Sequence, residues 1–313
     1  MGSVCPTLYA SSSTSSPVTL RAATRASALA RLQTDLIAAA LGEPVEPVVV
    51  QTMGDQRTDV AIWQMGGQGV FVKEVQAAVL DGRADFAVHS AKDLQSTPTD
   101  GLVIGAVPER EDARDALVGN TLAGLPPGSR VGTGSVRRRV QLTARRPDLT
   151  FAELRGNIGT RIDKASEFGA VVVAYAALRR LGREAEATEV LEPAVMLPQV
   201  AQGALAIECR ADDAETLRRL QAIEHAATRA AVDAERAFLA ELGGGCDLPV
   251  GAYATLEGSG QITVRGLVAS LDGRIVLRHA ATGDDPVTVG REVAGHLLDG
   301  AGGRALLEGS SAP

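Results

Sequence analysis

The chain has 313 residues, of which 45% are hydrophobic and 22% charged, and its formal net charge is −7. This length predicts two or three domains with a substantial core, and 34 glycines among these residues are typical of an α/β protein. The acidic balance and an aromatic share of 3% argue against nucleic-acid binding, and no run approaches the roughly 20 apolar residues of a membrane span.

Residues 1–17 are rich in serine and threonine and show no periodicity, so we interpret them as a disordered tail. They lack the basic flank and apolar segment of an export signal, which makes a cytoplasmic location the expectation. The three cysteines, Cys5, Cys209 and Cys246, fit neither a disulfide framework nor a zinc motif. With only four histidines in the chain, we expect no metal site.

Strand-like and helical patterns alternate in the first part of the chain, which indicates βα units and a largely parallel sheet. The predicted strands are 19–23, 47–52, 85–89 and 102–107, and the predicted helices are 27–41 and 71–81. A second α/β unit follows, with predicted strands at 130–132, 150–154 and 170–175, and a further strand at 204–209.

The pattern then changes to helices at 212–224 and 229–242, followed by three alternating strands at 250–257, 261–270 and 274–280. Gly-Ser-Gly and Asp-Gly turns between these strands predict an antiparallel meander, which a terminal helix near 287–298 would cover. We therefore expect a first lobe from 18–107 and 204–222, a second from 108–203, and a small α+β domain from 223–313.

Three segments place hydroxyl or glycine residues beside arginine where a strand gives way to a helix. They are Thr24-Arg25-Ala26-Ser27, Thr133-Gly134-Ser135-Val136-Arg137-Arg138 and Arg155-Gly156-Asn157-Ile158-Gly159-Thr160-Arg161. Helix N-termini and guanidinium groups both favour carboxylate or phosphate oxygens. A single segment of this kind is ordinarily a capped helix, but three together predict a ligand with several negative charges.

The segment from Asp85 to Asp93 reads as a buried strand that ends in polar groups, and open α/β sheets bind ligands at such strand ends. Asp93 is the catalytic candidate, because a carboxylate there can accept N–H hydrogen bonds and stabilise a cationic intermediate. Lys92 can bind an anion or pair with Asp93. The alternative is an ordinary surface Lys-Asp pair, while His89 is better explained as a hydrogen-bonded structural residue.

Cys246 follows three glycines at the end of a predicted helix, where a thiol has room to carry a bulky group. A helix C-terminus and the neighbouring Asp247 disfavour the thiolate, which argues against a protease-like nucleophile. The alternative is a small buried residue after a glycine helix stop. Cys209, inside an apolar strand, is interpreted as structural.

These motifs together resemble the hydroxymethylbilane synthase family, also called porphobilinogen deaminases, from about Thr19 to the end of the meander. Beyond the three arginine segments, the resemblance includes Gly69-Val70-Phe71-Val72-Lys73-Glu74, His89-Ser90-Ala91-Lys92-Asp93, Ala201-Gln202-Gly203-Ala204 and the Cys246 loop. It implies two lobes similar to periplasmic binding proteins, with the active cleft between them. It also implies a third domain whose cysteine, here Cys246, forms a thioether to a dipyrromethane cofactor.

The implied reaction joins four porphobilinogen molecules head to tail on this cofactor, releasing ammonia at each step and finally hydroxymethylbilane. Asp93 and Lys92 match catalytic positions, and both also match positions that contact the cofactor. The other implied cofactor-binding residues are Thr133, Ser135, Arg137, Arg138 and Arg155. The implied substrate-binding residues are Arg25, Ser27, Phe71, Arg155, Arg161, Arg180 and Gln202. Family members are usually monomeric, so we expect a monomer.

The chain departs from the family at Gln64 and Gln68, where many members carry lysines in a mobile loop over the cleft. Two alternative functions stay open at this point. One is a bilobed polycarboxylate-binding protein without catalytic activity, which the absence of an export signal disfavours. The other is a cysteine-dependent hydrolase or acyltransferase, which the surroundings of Cys246 and the lack of an obvious histidine partner disfavour.

Overall fold

The computed structural model describes residues 19–52, 69, 71–244 and 248–308. These residues form two lobes, each built on a five-stranded sheet, and a smaller domain built on a three-stranded antiparallel sheet. The fold class predicted from the sequence, an α/β protein with two lobes and a small α+β domain, is thus confirmed. The expectations for the tail at 1–17 and for Gln64, Gln68 and Cys246 lie outside the described residues.

The sheet of the first lobe has the strand order β2-β1-β3-β10-β4. Its strands are β1 (Leu20–Arg25), β2 (Val45–Val50), β3 (Phe86–Ser90), β4 (Leu102–Ala106) and β10 (Leu205–Arg210). β1 runs parallel to β2 and β3, whereas β10 runs antiparallel to both of its neighbours. One strand of this largely parallel sheet is therefore reversed, because it enters from the other lobe.

The sheet of the second lobe has the order β7-β6-β8-β5-β9 and repeats the same plan. Its strands are β5 (Asp115–Val118), β6 (Arg130–Gly132), β7 (Thr150–Ala152), β8 (Ala170–Ala174) and β9 (Ala187–Leu191). Here β5 is the reversed strand and pairs antiparallel with β8 and β9. Sequence analysis predicted neither β5 nor β9, since both are short and only weakly patterned.

Helices cover the sheets of the two lobes. They are α1 (Ala28–Leu41), α2 (Lys73–Leu80) and α6 (Ala214–Leu220) in the first lobe, and α3 (Val136–Arg145), α4 (Ile158–Asp163) and α5 (Tyr175–Arg180) in the second. Helix α1 begins at a Ser27 cap that accepts a hydrogen bond from the Ala30 amide, and it ends at Gly42 in the left-handed conformation. Local sequence signals thus set both ends of α1.

The third domain packs the long helix α7 (Ala226–Glu241) and α8 (Pro286–Gly295) on one face of its sheet. The sheet consists of β11 (Val250–Leu256), β12 (Ile262–Ala269) and β13 (Val276–Gly283). A π-helical turn at His296–Gly300 and α9 (Gly303–Glu308) follow. Phe238 from α7 and Val264 from β12 belong to the shared, fully buried core, so the helices and the meander form one packed unit.

Two segments connect the lobes, and both pass the edge where the parallel strands end. The first connects β4 to β5, whose initial residue Asp115 pairs with Ala174 at the end of β8. The second connects β9 to β10, whose initial residue Leu205 pairs with Ser90 at the end of β3. Residues on both connections therefore lie where α/β sheets bind ligands.

The motif Ala201-Gln202-Gly203-Ala204 lies on the second connection and touches the first. Gly203 has a φ of +89°, and a Cβ atom at this position would lie 2.3 Å from the carbonyl oxygen of Glu111, so no other residue fits there. Ala201 takes a φ of 58°, a left-handed conformation that costs an alanine roughly 1–2 kcal/mol. The motif thus reflects close contact between the two connections.

Glu235 of α7 joins both connections to the third domain. Its side chain is fully buried and pairs with Arg110 on the first connection at 2.7 Å. It also accepts hydrogen bonds from the amides of Ala201, on the second connection, and Ala254, on β11, at 2.6 and 2.8 Å. A single carboxylate therefore ties together three parts of the chain.

Among the residues that the structure describes, no helix is both long enough and apolar enough to span a bilayer.

We predict that Glu235→Ala lowers the free energy of unfolding by about 3–5 kcal/mol, because it leaves Arg110 without its buried partner and two amides unsatisfied. Urea denaturation followed by circular dichroism measures the change. The control is Glu215→Ala, which removes an exposed ion pair with Arg218 and should cost no more than about 1 kcal/mol. Equal losses in the two variants would contradict the role assigned to Glu235.

Candidate active site

Lys92 and Asp93 lie in a single 3-10 turn, Ala91–Asp93, directly after β3. Three hydrogen bonds from separate parts of the chain position this turn. The Ala91 amide donates to the carbonyl of Ala204 at 3.0 Å, Gln33 of α1 donates to the hydroxyl of Ser90 at 3.0 Å, and Gln199 donates to the carbonyl of Lys92 at 3.3 Å. The turn is therefore held rigidly at the carboxyl edge of the sheet.

The ammonium group of Lys92 lies within reach of charges from both lobes. Its pKa is lowered to about 8, chiefly by burial. Asp93 and Asp115 act in the opposite direction, and the charges of Arg138 and Arg137 of the second lobe contribute to the lowering. Because those arginines influence a lysine of the first lobe, the lobes meet at this point. Lys92 and Asp93 of the first lobe and Arg137 and Arg138 of the second, which the sequence named in separate motifs, thus lie within electrostatic range of one another.

The segment from Thr133 to Arg138 leads into α3, and its hydroxyl groups bond to backbone amides within the segment. The Thr133 hydroxyl accepts a hydrogen bond from the Ser135 amide at 3.2 Å, and the Ser135 hydroxyl caps the helix by accepting from the Arg138 amide. The helix N-terminus consequently points its positive end towards the cleft side of the lobe. Both hydroxyl groups act in local structure here, as the capped-helix interpretation requires.

The guanidinium groups of Arg137 and Arg138 converge on Asp115, the first residue of β5. Arg138 donates to Asp115 at 2.8 and 3.0 Å, Arg137 approaches the second carboxylate oxygen at 2.8 Å, and Gln202 donates at 2.9 Å. Burial would raise the pKa of Asp115, but the two arginines and Gln202 hold it at about 2. Sequence analysis missed Asp115, since nothing in its local pattern marks it.

One carboxylate does not neutralise two guanidinium groups, and Asp115 therefore leaves buried positive charge at the start of α3. The Nη1 atom of Arg137 donates to the carbonyl of Leu197 at 2.6 Å, while its buried Nε atom has no hydrogen-bond partner among the described residues. Burial lowers the pKa of Arg137, with Asp115 acting against this effect. An anionic ligand beside Arg137 would satisfy both the charge and the unused donor.

Arg155 and Arg161 extend the cationic cluster along the second lobe. The turn between them uses Gly156 at a φ of +104°, and Asn157 caps α4 through the Thr160 amide at 3.0 Å. Arg161 donates to the carbonyl of Gly156 at 2.8 Å. Burial lowers its pKa, nearby Arg138 lowers it further, and Asp93 opposes both. Arg161 is therefore within electrostatic range of both Arg138 and Asp93.

Arg25, Ser27 and Phe71 lie in the first lobe, where β1 ends at the same sheet edge as β3. The guanidinium of Arg25 stacks over the ring of Phe71, 4.1 Å from its centre. Ser27 is the α1 cap described above. The structure thus brings together two residues, Arg25 and Phe71, that the sequence predicts as separate substrate contacts.

Arg180 and Gln202 lie at the interlobe connections and make structural contacts there. Arg180 donates to the carbonyl of Gly203 at 2.7 Å, and burial lowers its pKa to about 10. Gln202 is fully buried and donates to the carbonyl of Ala113 at 2.8 Å as well as to Asp115. Both side chains hold the interlobe connections; the resemblance indicates this position near the interlobe crossing for Gln202 but not for Arg180.

The structural interpretations of His89 and Cys209 are confirmed. His89 is buried with Nε2 3.0 Å from the carboxylate of Glu208, and that carboxylate also accepts a hydrogen bond from Gln76 at 2.8 Å. Cys209 is fully buried in the first-lobe core, and burial raises its thiol pKa to about 11. Neither residue is available as a base or nucleophile.

The chain that follows the Cys246 segment passes close to this cluster. At Gly251, a Cβ atom would come within 3.3 Å of the Arg137 side chain and 2.8 Å of the Pro198 carbonyl. The Ala252 amide donates to the same carbonyl at 3.2 Å. Gly251 is five residues beyond Cys246, a length of chain that spans at most about 17 Å.

The fold and the cluster together define a class of protein: a bilobed α/β protein with a small third domain and a cationic cluster between its lobes. The sequence model described as porphobilinogen deaminase, dipyromethane cofactor binding domain, matches residues 20–218. The model of the porphobilinogen deaminase C-terminal domain matches residues 229–299. The two matches cover most of the chain.

Curated relatives carry the same name. The porphobilinogen deaminase of Brevibacillus brevis is 50% identical over 248 residues, covering 78% of this chain and 80% of the relative. That of Roseiflexus castenholzii is 51% identical over 250 residues, covering 78% and 82%. That of Bacillus subtilis is 45% identical over 240 residues, covering 75% and 76%.

The chain therefore belongs to the porphobilinogen deaminase family. It is accordingly a transferase of tetrapyrrole biosynthesis whose cofactor is dipyrromethane. Membership in this family favours the enzyme over the non-catalytic binding protein that the sequence left open.

Solved structures of lower similarity also match. A Salmonella typhimurium periplasmic binding protein of high arginine specificity gives a TM-score of 0.36 at 16% identity, covering 66% of this chain and 91% of that one. A protein from Shigella flexneri gives a TM-score of 0.34 at 15% identity, covering 70% and 94%. We draw nothing from likenesses at this level.

We predict that the stabilising effect of Asp115 decreases in acid. Its pKa is about 2 in the folded protein against 3.8 in the unfolded chain, so its charge stabilises the fold above pH 4 and the effect disappears as pH falls towards 2. The difference in free energy of unfolding between wild type and Asp115→Asn should shrink by about 1 kcal/mol from pH 6 to pH 3.

Urea denaturation at several pH values measures this difference. Asp81→Asn serves as a control at neutral pH, because Asp81 is exposed and pairs with Arg83, which is exposed as well. A wild-type advantage over Asp115→Asn that stays constant down to pH 3 would show that the carboxylate is not held at its low pKa.

Proposed function

We propose that the substrate of this enzyme is porphobilinogen and that the interlobe cluster is where four molecules are joined head to tail. The observation that carries the proposal is that Lys92 of the first lobe lies within electrostatic range of Asp93, Arg137 and Arg138, and that Arg161 lies within range of Asp93 and Arg138. Each porphobilinogen unit brings an acetate and a propionate, so the negative charge in the cleft grows with the chain. A site with more guanidinium groups than carboxylates suits such a ligand.

The dipyrromethane cofactor fits the second-lobe side of the cleft. The support is the uncompensated charge of the pair Arg137 and Arg138 and the unused Nε atom of Arg137. Thr133, Ser135 and Arg155 border the same helix start, and Lys92 and Asp93 face it from the first lobe. When bound, this cofactor supplies the pyrrole end on which the chain is extended. The short span of chain between Cys246 and Gly251, which lies beside Arg137, supports attachment of the cofactor to Cys246.

Asp93 is proposed as the catalytic carboxylate. Its turn is fixed by hydrogen bonds to α1 and to the second connection, so the carboxylate needs no reorganisation when positive charge develops on a pyrrole ring. An acceptor in that position can hold pyrrole N–H groups and take up the proton that each coupling releases.

Lys92 is proposed as an anion-binding partner of Asp93. Its pKa of about 8 means that an arriving carboxylate, which stabilises the charged form, draws the ammonium fully into its protonated state. Arg25, Ser27 and Phe71 are proposed to meet the incoming substrate at the first lobe, with the Phe71 ring packing near the pyrroles. Arg180 and Gln202 are proposed to lie close to the substrate and to position the interlobe connections to which they donate hydrogen bonds.

We also propose the domain division of 18–107 with 204–222, 108–203 and 223–313. The membership of β10 in the first sheet supports it.

A monomer is proposed because the cationic cluster is assembled from both lobes of a single chain. A cytoplasmic location is proposed because thioether formation needs a reduced thiol at Cys246, and reduced thiols persist in the cytoplasm. Light scattering of the purified protein tests the oligomeric state.

The first test is the intact mass of the purified enzyme with peptide mapping. Wild type should carry a two-pyrrole adduct on the peptide containing Cys246, and Cys246→Ser should carry none and be inactive. Cys209→Ala is the matched control, since it removes the buried cysteine and should keep both the adduct and the activity. An unmodified Cys246 after incubation with porphobilinogen would overturn the assignment.

We predict that Asp93→Asn lowers kcat by about 10²–10⁴-fold, the usual contribution of a general acid or base, while the adduct is retained. Asp100→Asn, at an exposed position between the Asp93 turn and β4, is the control and should keep normal turnover. Turnover is measured by the release of ammonia. If Asp93→Asn turned over normally, the carboxylate would have no catalytic role.

A further inference from the structure

A second cavity lies outside the cleft, between the second lobe and the third domain. Its volume is about 520 Å³, which falls within the usual range for small-molecule sites. One wall is the segment Glu192–Leu197, which begins the second connection. The other wall is the outer face of the three-stranded sheet, opposite the face that packs on α7 and α8.

The cavity exists because the sheet diverges from the second lobe along its length. At one end, Leu267 and Ala269 of β12 pack against Val140 of α3 and against Leu197. Towards the other end, Arg265 on the same strand faces the opening, with Ala280 paired beside it on β13. The contact is thus closed near α3 and open near Arg265.

The walls of the cavity combine apolar surface with cationic groups. Pro193, Leu197, Ala280 and the ring of Tyr253 supply the apolar part. Arg265 and Arg278 supply guanidinium groups on the sheet side. The Arg110 guanidinium lies over the Tyr253 ring, 5.3 Å from the ring centre, and this contact helps to hold the ring.

Three guanidinium groups around this cavity lack a carboxylate partner among the described residues. Arg265 donates to the Thr255 hydroxyl at 3.3 Å, Arg278 donates to the Gln141 side chain at 3.1 Å, and Arg145 donates to the carbonyls of Ala194 and Val195. The acid on the wall, Glu192, is already paired with Arg114 at 2.5 Å. The chain as a whole is acidic, yet this cavity, like the cleft, has a local excess of positive charge.

The arginines repel one another at this site. Burial lowers the pKa of Arg278, and the charge of Arg145 lowers it further. An anion placed between them would relieve this repulsion and accept their remaining N–H donors. The apolar walls would at the same time cover a hydrophobic or aromatic body.

We propose that this cavity is a binding site for a small aromatic or apolar molecule carrying one carboxylate, separate from the cleft that binds the pyrrole chain. Guanidinium groups of Arg278 and Arg265 hold the carboxylate. The ring of Tyr253 and the side chains of Pro193 and Ala280 contact the apolar body.

The test is calorimetric titration of the holoenzyme with naphthalene-2-carboxylate, and with 2-naphthalenemethanol as the uncharged analogue. The carboxylate should bind to wild type at least about tenfold more tightly than the alcohol, because a charge-assisted hydrogen bond is lost with the alcohol. Arg278→Gln and Ala280→Trp should each weaken binding about tenfold or more, the first by removing charge and the second by filling the cavity. Both variants should keep normal turnover.

Arg274→Gln is the matched control. Arg274 lies on the same hairpin, is highly exposed and points to Asp272 at 3.6 Å, so binding should be unchanged. Displacement of the probe by porphobilinogen would place it in the cleft and overturn the proposal. Unchanged affinity in both Arg278→Gln and Ala280→Trp, or the absence of binding to wild type, would overturn it as well.

Discussion

The structure depends on one buried carboxylate, that of Glu235. A carboxylate removed from water is stable only when its oxygens are fully paired, and Glu235 obtains those partners from three distant parts of the chain. Arg110 comes from one interlobe connection and the Ala201 amide from the other. The pairing also holds Ala201 in a conformation that alanine rarely adopts. The relative position of lobes and third domain therefore follows from satisfying a single charge.

A second buried carboxylate, Asp115, performs the corresponding role for the active site. It allows two adjacent arginines to be buried at the start of α3, but it compensates for only one of their charges. Gln202, on the neighbouring connection, completes its hydrogen bonds. The protein thus keeps a fixed positive potential in the cleft before any ligand arrives, which favours ligands that carry several carboxylates.

The two cationic regions of the molecule are physically continuous. The side chain of Gln141 accepts a hydrogen bond from Arg278 and pairs in both directions with the backbone of Leu197. The carbonyl of Leu197 in turn accepts from Arg137 in the active site. A chain of hydrogen bonds through Gln141 and Leu197 therefore connects the wall of the outer cavity to the arginine pair beside Asp115.

The sequence by itself determined the local structure and the chemical identity of the site. Ser27, Ser135 and Asn157 cap the helices that they precede, and the alternating runs form the predicted meander, because these features depend on neighbours within a few residues. The excess of arginines between Arg130 and Arg161 is equally local. So are the motifs around Asp93 that resemble the family.

Only the tertiary structure decided which charges meet. Asp115 and Glu235 carry no local signal, since their partners lie between 19 and 125 residues away in the chain. The contacts of Arg180 and Gln202 with the interlobe connections and the reversal of β5 and β10 likewise arise from the chain crossing twice between lobes. Burial of a charge is a property of the whole packed molecule, so pairing of this kind cannot be predicted from spacing along one sequence.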